Sequence, residues 1–148
     1  MKQIMTSALP DPHSQAIFYD GIPLKRLVAW VVDVMVILLV MVILGVVTLT
    51  IAWWLWPLFW IATSFLYRSI TIAGASATLG MRVMNIELRN ANGQRLNGGE
   101  AMVHTGAYLV SASFFLPQVL SVGLIALTER HQSLPDHLLG TAAINRPR

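Results

Sequence analysis

Residues 27–67 read LVAWVVDVMVILLVMVILGVVTLTIAWWLWPLFWIATSFLY, and Asp33 is the only charged residue among them. As one helix these 41 residues would be about 60 Å long, twice the hydrocarbon thickness of a bilayer. The stretch must therefore fold back. Gly45, Thr48 and Thr50 are its weakest helix formers, and Trp53, Trp54 and Trp56 follow as an interfacial aromatic belt. The turn is expected within 45–52, between spans of about 24–46 and 52–72. Pro57 then falls in the first turns of the second span, where it removes at most an early helix bond.

The composition agrees with a membrane domain. Of the 148 residues, 55% are apolar and 11% charged, against roughly 25% charged in a soluble domain. The absence of cysteine rules out disulfides, thiolate metal sites and cysteine nucleophiles. The ten Lys and Arg give a net charge of +3, but they are scattered over span ends and one loop. They form no basic stripe with an aromatic platform, which excludes nucleic acid as a partner. They read instead as topology signals and contacts to anionic headgroups of the lipid bilayer.

Residues 1–23 are polar and turn-rich and are expected to form a flexible arm without a packed core. They lack the early apolar region of a secretory signal. Residues 24–148 then form one membrane domain. The turn between the spans holds no charge, while the segment 68–99, most of it the loop 73–100, holds Arg68, Arg82, Arg89 and Arg95 against Glu87 alone. Positive-inside reasoning puts the amino terminus and this loop in the cytoplasm. Within the loop, 82–89 predicts a short strand. Asn92-Gly93 is a hairpin signal, with Gln94-Arg95-Leu96 as the return strand.

The third apolar region, 101–128, is divided by Pro117. One kinked helix could cross the bilayer, but Arg130, Arg146 and Arg148 would then lie on the side that basic residues avoid. Alternatively the region is re-entrant, the chain returns after Pro117, and Ala142-Ala143-Ile144 extends the cytoplasmic sheet. The charge argument favours the second geometry. The expected fold class is an all-α membrane protein, a small transmembrane helix bundle with a small cytoplasmic β-hairpin.

Asp33 lies about two turns into its span, where a carboxylate costs at least ~2.5–3.5 kcal/mol on insertion scales. It could be protonated and hydrogen-bonded, ion-paired, or a site for an exchanging proton or cation. Arg26 is on the same helix face but about 10 Å away along the axis, with Trp30 between them in position to offer its ring to the guanidinium. Asp136 follows Pro135 and is placed to cap a helix start, or to meet Arg26 at the mouth of the bundle. His131 and His137 beside Asp136 have neither the spacing nor a third ligand for a metal. Gly74–Gly80 lacks the Gly-Lys-Ser/Thr ending of a phosphate loop, so no cofactor is expected.

Three ordered blocks resemble the RDD family of bacterial membrane proteins, named for one arginine and two aspartates. Pro23-Leu-Lys-Arg26-Leu-Val-Ala-Trp-Val-Val-Asp33 is similar to the family's first span. Gly74-Ala-Ser-Ala-Thr78-Leu79-Gly80-Met-Arg82 resembles the run after its second span, and Gln132-Ser-Leu-Pro-Asp136-His137-Leu-Leu-Gly140-Thr141 its last block. His104 and His137 stand where many members carry basic residues, which makes them accessory candidates, as is Trp30. The resemblance implies transport, here of a small cation or other solute through a cluster of Arg26, Asp33 and Asp136. Two or three spans hardly surround a pathway, so transport would need a homo-oligomer or a larger membrane partner. The alternative is a non-catalytic accessory or assembly subunit of a membrane complex. No nucleophile with its base is legible, and no enzymatic activity is expected.

Overall fold

The computed structural model describes residues 7–147. Helix α1 (Ile22–Val47) starts after Gly21, whose φ of 67° is left-handed, and carries Pro23 in its first turn, where no amide partner is lost. Helix α3 (Trp56–Ala75) has 20 residues, about 30 Å and one hydrocarbon thickness. Both are long and apolar enough to cross a bilayer. The reversal between them falls where the weak helix formers stand. Thr48 donates its hydroxyl to Leu44 O at 2.6 Å, Leu49 and Thr50 adopt positive φ, and the short α2 (Ile51–Trp54) follows. Trp53 folds back over Gly45 so closely that a Cβ there would lie 1.7 Å from the indole nitrogen.

After α3 the chain turns at Ser76, with φ 54°, into α4 (Leu79–Val83) and strand β1 (Ile86–Arg89). The sheet has two antiparallel strands, but the return strand is not 94–96. β1 pairs with β2 (Ala142–Asn145), with Ile86 opposite Asn145 and Arg89 opposite Ala142. Local side chains explain the change of partner. The Asn90 side-chain carbonyl accepts the amides of Asn92 and Gln94, both at 3.0 Å, and curls 90–94 into a tight loop. The Leu96 amide is taken by Ser76 Oγ at 2.9 Å.

The third apolar region forms α5 (Gly98–Ser113) and α6 (Phe115–Leu127), which meet at 115°. The break is at Phe114, in extended backbone at φ −119° and ψ 135°, three residues before the expected Pro117. Pro117 sits in the first turn of α6, where its missing amide breaks no helix bond. Helix α7 (Leu134–Leu139) leads from there to β2. Because β1 precedes α5 and β2 follows α7, both ends of the bent pair return to the same sheet. Two paired strands cannot lie on opposite sides of a bilayer, so the bent pair is not a single crossing.

The buried apolar core lies at this sheet side rather than between the spans. Ile22, Ala29, Ile72, Met81, Ile86, Leu88, Ala101 and Ile144 belong to one cluster. The spans leave large apolar side chains such as Leu39, Val46 and Trp54 exposed, as lipid contact requires. The expectation of an unpacked amino-terminal arm is overturned for residues 7–21, while residues 1–6 lie outside the described residues. Leu9 and Tyr19 are buried in the core cluster, and Ala8 N donates to Ala91 O at 2.8 Å. A 3₁₀ turn, Ala16–Phe18, sits beside β2, where Asn145 Nδ2 donates to Ile17 O and Asp20 O. Two buried apolar side chains and a set of backbone partners outweigh the turn-rich composition.

Candidate functional site

Asp33 is 1% exposed, and its carboxylate is held by the segment that leaves α3. Thr78 donates its hydroxyl to Asp33 Oδ2 at 2.6 Å and accepts the Met81 amide at 3.2 Å, so one side chain caps α4 and binds the carboxylate. Gly80 N donates to Oδ1 at 2.9 Å, and the Tyr67 hydroxyl donates to the same oxygen at 2.6 Å. Only glycine fits at position 80, because a Cβ there would lie 2.0 Å from Ala29 O. The carboxylate is thus the ligand of a backbone and hydroxyl cradle, which offsets its removal from water. Arg68 Nη2 adds charge at 3.9 Å, beyond hydrogen-bond distance.

Asp136 is fully buried at the start of α7 and forms the second node. With Ser133 it makes a capping box: Ser133 Oγ accepts the Asp136 amide, and the Ser133 amide donates to Asp136 Oδ2 at 3.0 Å. The same carboxylate reaches across the fold. Arg26 Nη1 donates to Oδ2 at 2.7 Å, His104 Nε2 lies 2.8 Å from Oδ1, and Thr141 Oγ1 donates to Oδ1 at 2.8 Å. Capping and pairing with Arg26, posed as alternatives by the sequence, occur together. Burial alone would raise this carboxyl, but the Arg26 charge and the His104 hydrogen bond outweigh it and hold it far below the ordinary carboxylate range.

The anticipated single cluster of Arg26, Asp33 and Asp136 is therefore two nodes. Asp33 shares no hydrogen bond or ion pair with Arg26 or Asp136 among the described residues. Trp30 does not cover Arg26 either: its indole N–H donates to the Tyr108 hydroxyl at 2.9 Å, and the cation over an aromatic face is Arg68, 4.0 Å from the Tyr108 ring centroid. His104 belongs to the Asp136 node, whereas His137 Nδ1 lies 3.0 Å from Ser133 O in a local contact. A third buried carboxylate, Glu87 on β1, accepts hydrogen bonds from Arg89 and has Arg146 at 3.4 Å and Arg95 at 3.6 Å.

The RDD family model matches residues 22–140, which include Arg26, Asp33 and Asp136. The chain belongs to the RDD family. No curated protein and no solved structure matches it. In this RDD protein the residues that sequence reasoning missed are the partners of the two aspartates. Thr78 and Gly80 lie in the run after the second span, and Ser133 and Thr141 flank Asp136. Tyr67 and Arg68 carried no signal beyond their place near a span end. The second aspartate of an ion-pair network is named by its own sequence, but its donors come from elements that meet only after folding.

Proposed function

We propose that this RDD membrane protein is a non-catalytic subunit of a larger membrane assembly in the bacterial inner membrane, and that its Arg and Asp residues serve as architecture. The observation that carries this reading is the saturation of both aspartates. Each is buried and each accepts three or more protein hydrogen bonds. The nodes fasten a small α/β module to membrane helices, Asp33 through α4 and Asp136 through α1, α5 and α7. Lys25, Arg26, Arg82, Arg89, Arg95 and Arg146 are all on the sheet side, which supports a cytoplasmic module and amino terminus by the positive-inside rule.

Transport of a small cation or other solute by a homo-oligomer is the second reading. A recess of about 210 Å³ between α1, α3, α5 and α6, lined by Arg68, favours it. One pair of measurements separates the two. In native gels of mildly solubilised membranes, the subunit reading expects a band with a second chain at fixed stoichiometry. It also expects purified protein in proteoliposomes to show no cation-dependent pH change. A band of this chain alone, with a flux abolished by Asp33→Asn in protein that still inserts, would replace it with transport.

A further inference from the structure

Arg68 is a buried arginine whose nearest carboxylate, Asp33 at 3.9 Å, lies beyond hydrogen-bond distance. Its side chain is 7% exposed, yet among the described residues its guanidinium makes no hydrogen bond. Asp33 stands at 3.9 Å with its oxygens already occupied by Tyr67, Thr78 and Gly80, and the Tyr108 ring covers one guanidinium face. Arg26, by contrast, donates to a carboxylate at 2.7 Å. A guanidinium presents five N–H donors, and those of Arg68 are not sealed from the recess, so they are free to bind what enters it. Arg68 lines the recess between the helices, and Ser64, Tyr108, Ser113 and Gln118 add polar groups to the same walls.

The shape of the recess identifies its occupant. Its volume of about 210 Å³ is below the ~300–1,000 Å³ of sites that enclose a whole drug-sized solute. It is large enough for an anionic head and the start of a chain. From Arg68 it runs along α3 past Ser64 to Trp60, between apolar residues of α1 and α5 such as Ile37 and Leu109. Arg68 lies seven residues before Ala75, the sheet-side end of α3, about 10 Å along the axis. On a helix one hydrocarbon thickness long, that depth is about a third of the way in from the basic side. Basic pockets between membrane helices on that side suit phosphate-bearing heads, and arginine suits phosphate oxygens by its planar fork.

We propose that the recess binds a phosphate group at Arg68, delivered as the head of an anionic phospholipid whose first chain carbons lie against Trp60 and Ile61. The site is independent of the subunit reading, since it uses neither Arg26 nor Asp136.

The test is native mass spectrometry of the delipidated full-length protein, supplied separately with phosphatidylglycerol, diacylglycerol or inorganic phosphate. Two variants accompany it. Arg68→Gln removes the cation, and Ala112→Phe fills the mouth of the recess from an exposed position without touching the Asp33 node. A one-to-one phosphatidylglycerol adduct is expected, weakened at least about tenfold in both variants, the size of one lost charge-assisted contact. Diacylglycerol is expected not to be retained. If Arg68→Gln does not fold, Ala112→Phe decides alone. An adduct of inorganic phosphate without phosphatidylglycerol, lost in the same variants, would keep the phosphate site and make free phosphate its source. Equal phosphatidylglycerol retention by wild type and Ala112→Phe, or retention of diacylglycerol as well as phosphatidylglycerol, would overturn the proposal.

Discussion

Replacing Arg26 with alanine leaves the Asp136 carboxylate buried beside His104, Ser133 and Thr141 without its cation. Breaking one side of a buried pair costs about 3–5 kcal/mol, so Arg26→Ala should unfold at clearly lower temperature than wild type in the same micelle. An unchanged midpoint would show that the pair contributes little. The pH dependence follows from the same residue. Because the folded carboxyl of Asp136 is depressed, the stability it contributes is present above the unfolded value of about 3.9 and is lost as pH falls below it. Melting curves between pH 7 and pH 3 should fall steeply at the acid end for wild type and less for Asp136→Asn, measured from that variant's lower starting point. At the first node, Gly80→Ala drives a Cβ towards Ala29 O and lifts α4 from Asp33. It should cost about 1–3 kcal/mol, the range for forced overpacking, while Gly74→Ala, where a Cβ meets nothing, should leave the melting temperature almost unchanged.

At the scale of elements, the apolar run and its weak helix formers made the first two spans legible, because helix length against bilayer thickness is a local and strong constraint. A strand was legible from the alternation in 82–89, but it starts only at Ile86, because residues 82 and 83 close α4. Its return partner was read both as 94–96 and as an extension by 142–144. The choice between them depended on where the Asn90 side chain and Ser76 directed the loop, a matter of single hydrogen bonds invisible to any pattern. The break at Phe114 rather than Pro117 has a similar cause, since proline marks a helix's first turn as readily as its end. Glu87 ties these strands together, being 1% exposed and faced by three guanidinium groups on β1, the following loop and the end of β2. Glu87→Gln keeps the shape and removes the only nearby negative charge among the described residues, leaving three cations to repel. Hydrogen exchange at the Ile144 amide should become faster in this variant, and unchanged protection would mean that the sheet holds without the charge.

For the whole molecule, the pairing of β1 with β2 decides topology. The chain contains no cysteine, so single cysteines report sidedness without background. Cysteines at Asn92 and Pro147, both exposed, should react with a membrane-impermeant maleimide from the same side, and one at Trp54 from the other. Labelling of Pro147 from the Trp54 side would break the sheet pairing. The aspartates themselves were legible as residues to explain, and their family was legible from three blocks of sequence. Their separation into two nodes was not, because it depends on Arg26 facing α7 while Asp33 faces α4, although both lie on one face of α1.

The strand pairing also sets the order in which the molecule can be built. β1 has no sheet partner until β2 is made, and the whole of α5 and α6 lies between them. These helices must therefore be made before the module can close, and until then β1 presents an open edge with buried-type side chains. Such non-local pairing is slow to form, which makes closure of the sheet the last step of assembly and leaves the nascent module exposed to whatever first meets it at the membrane surface.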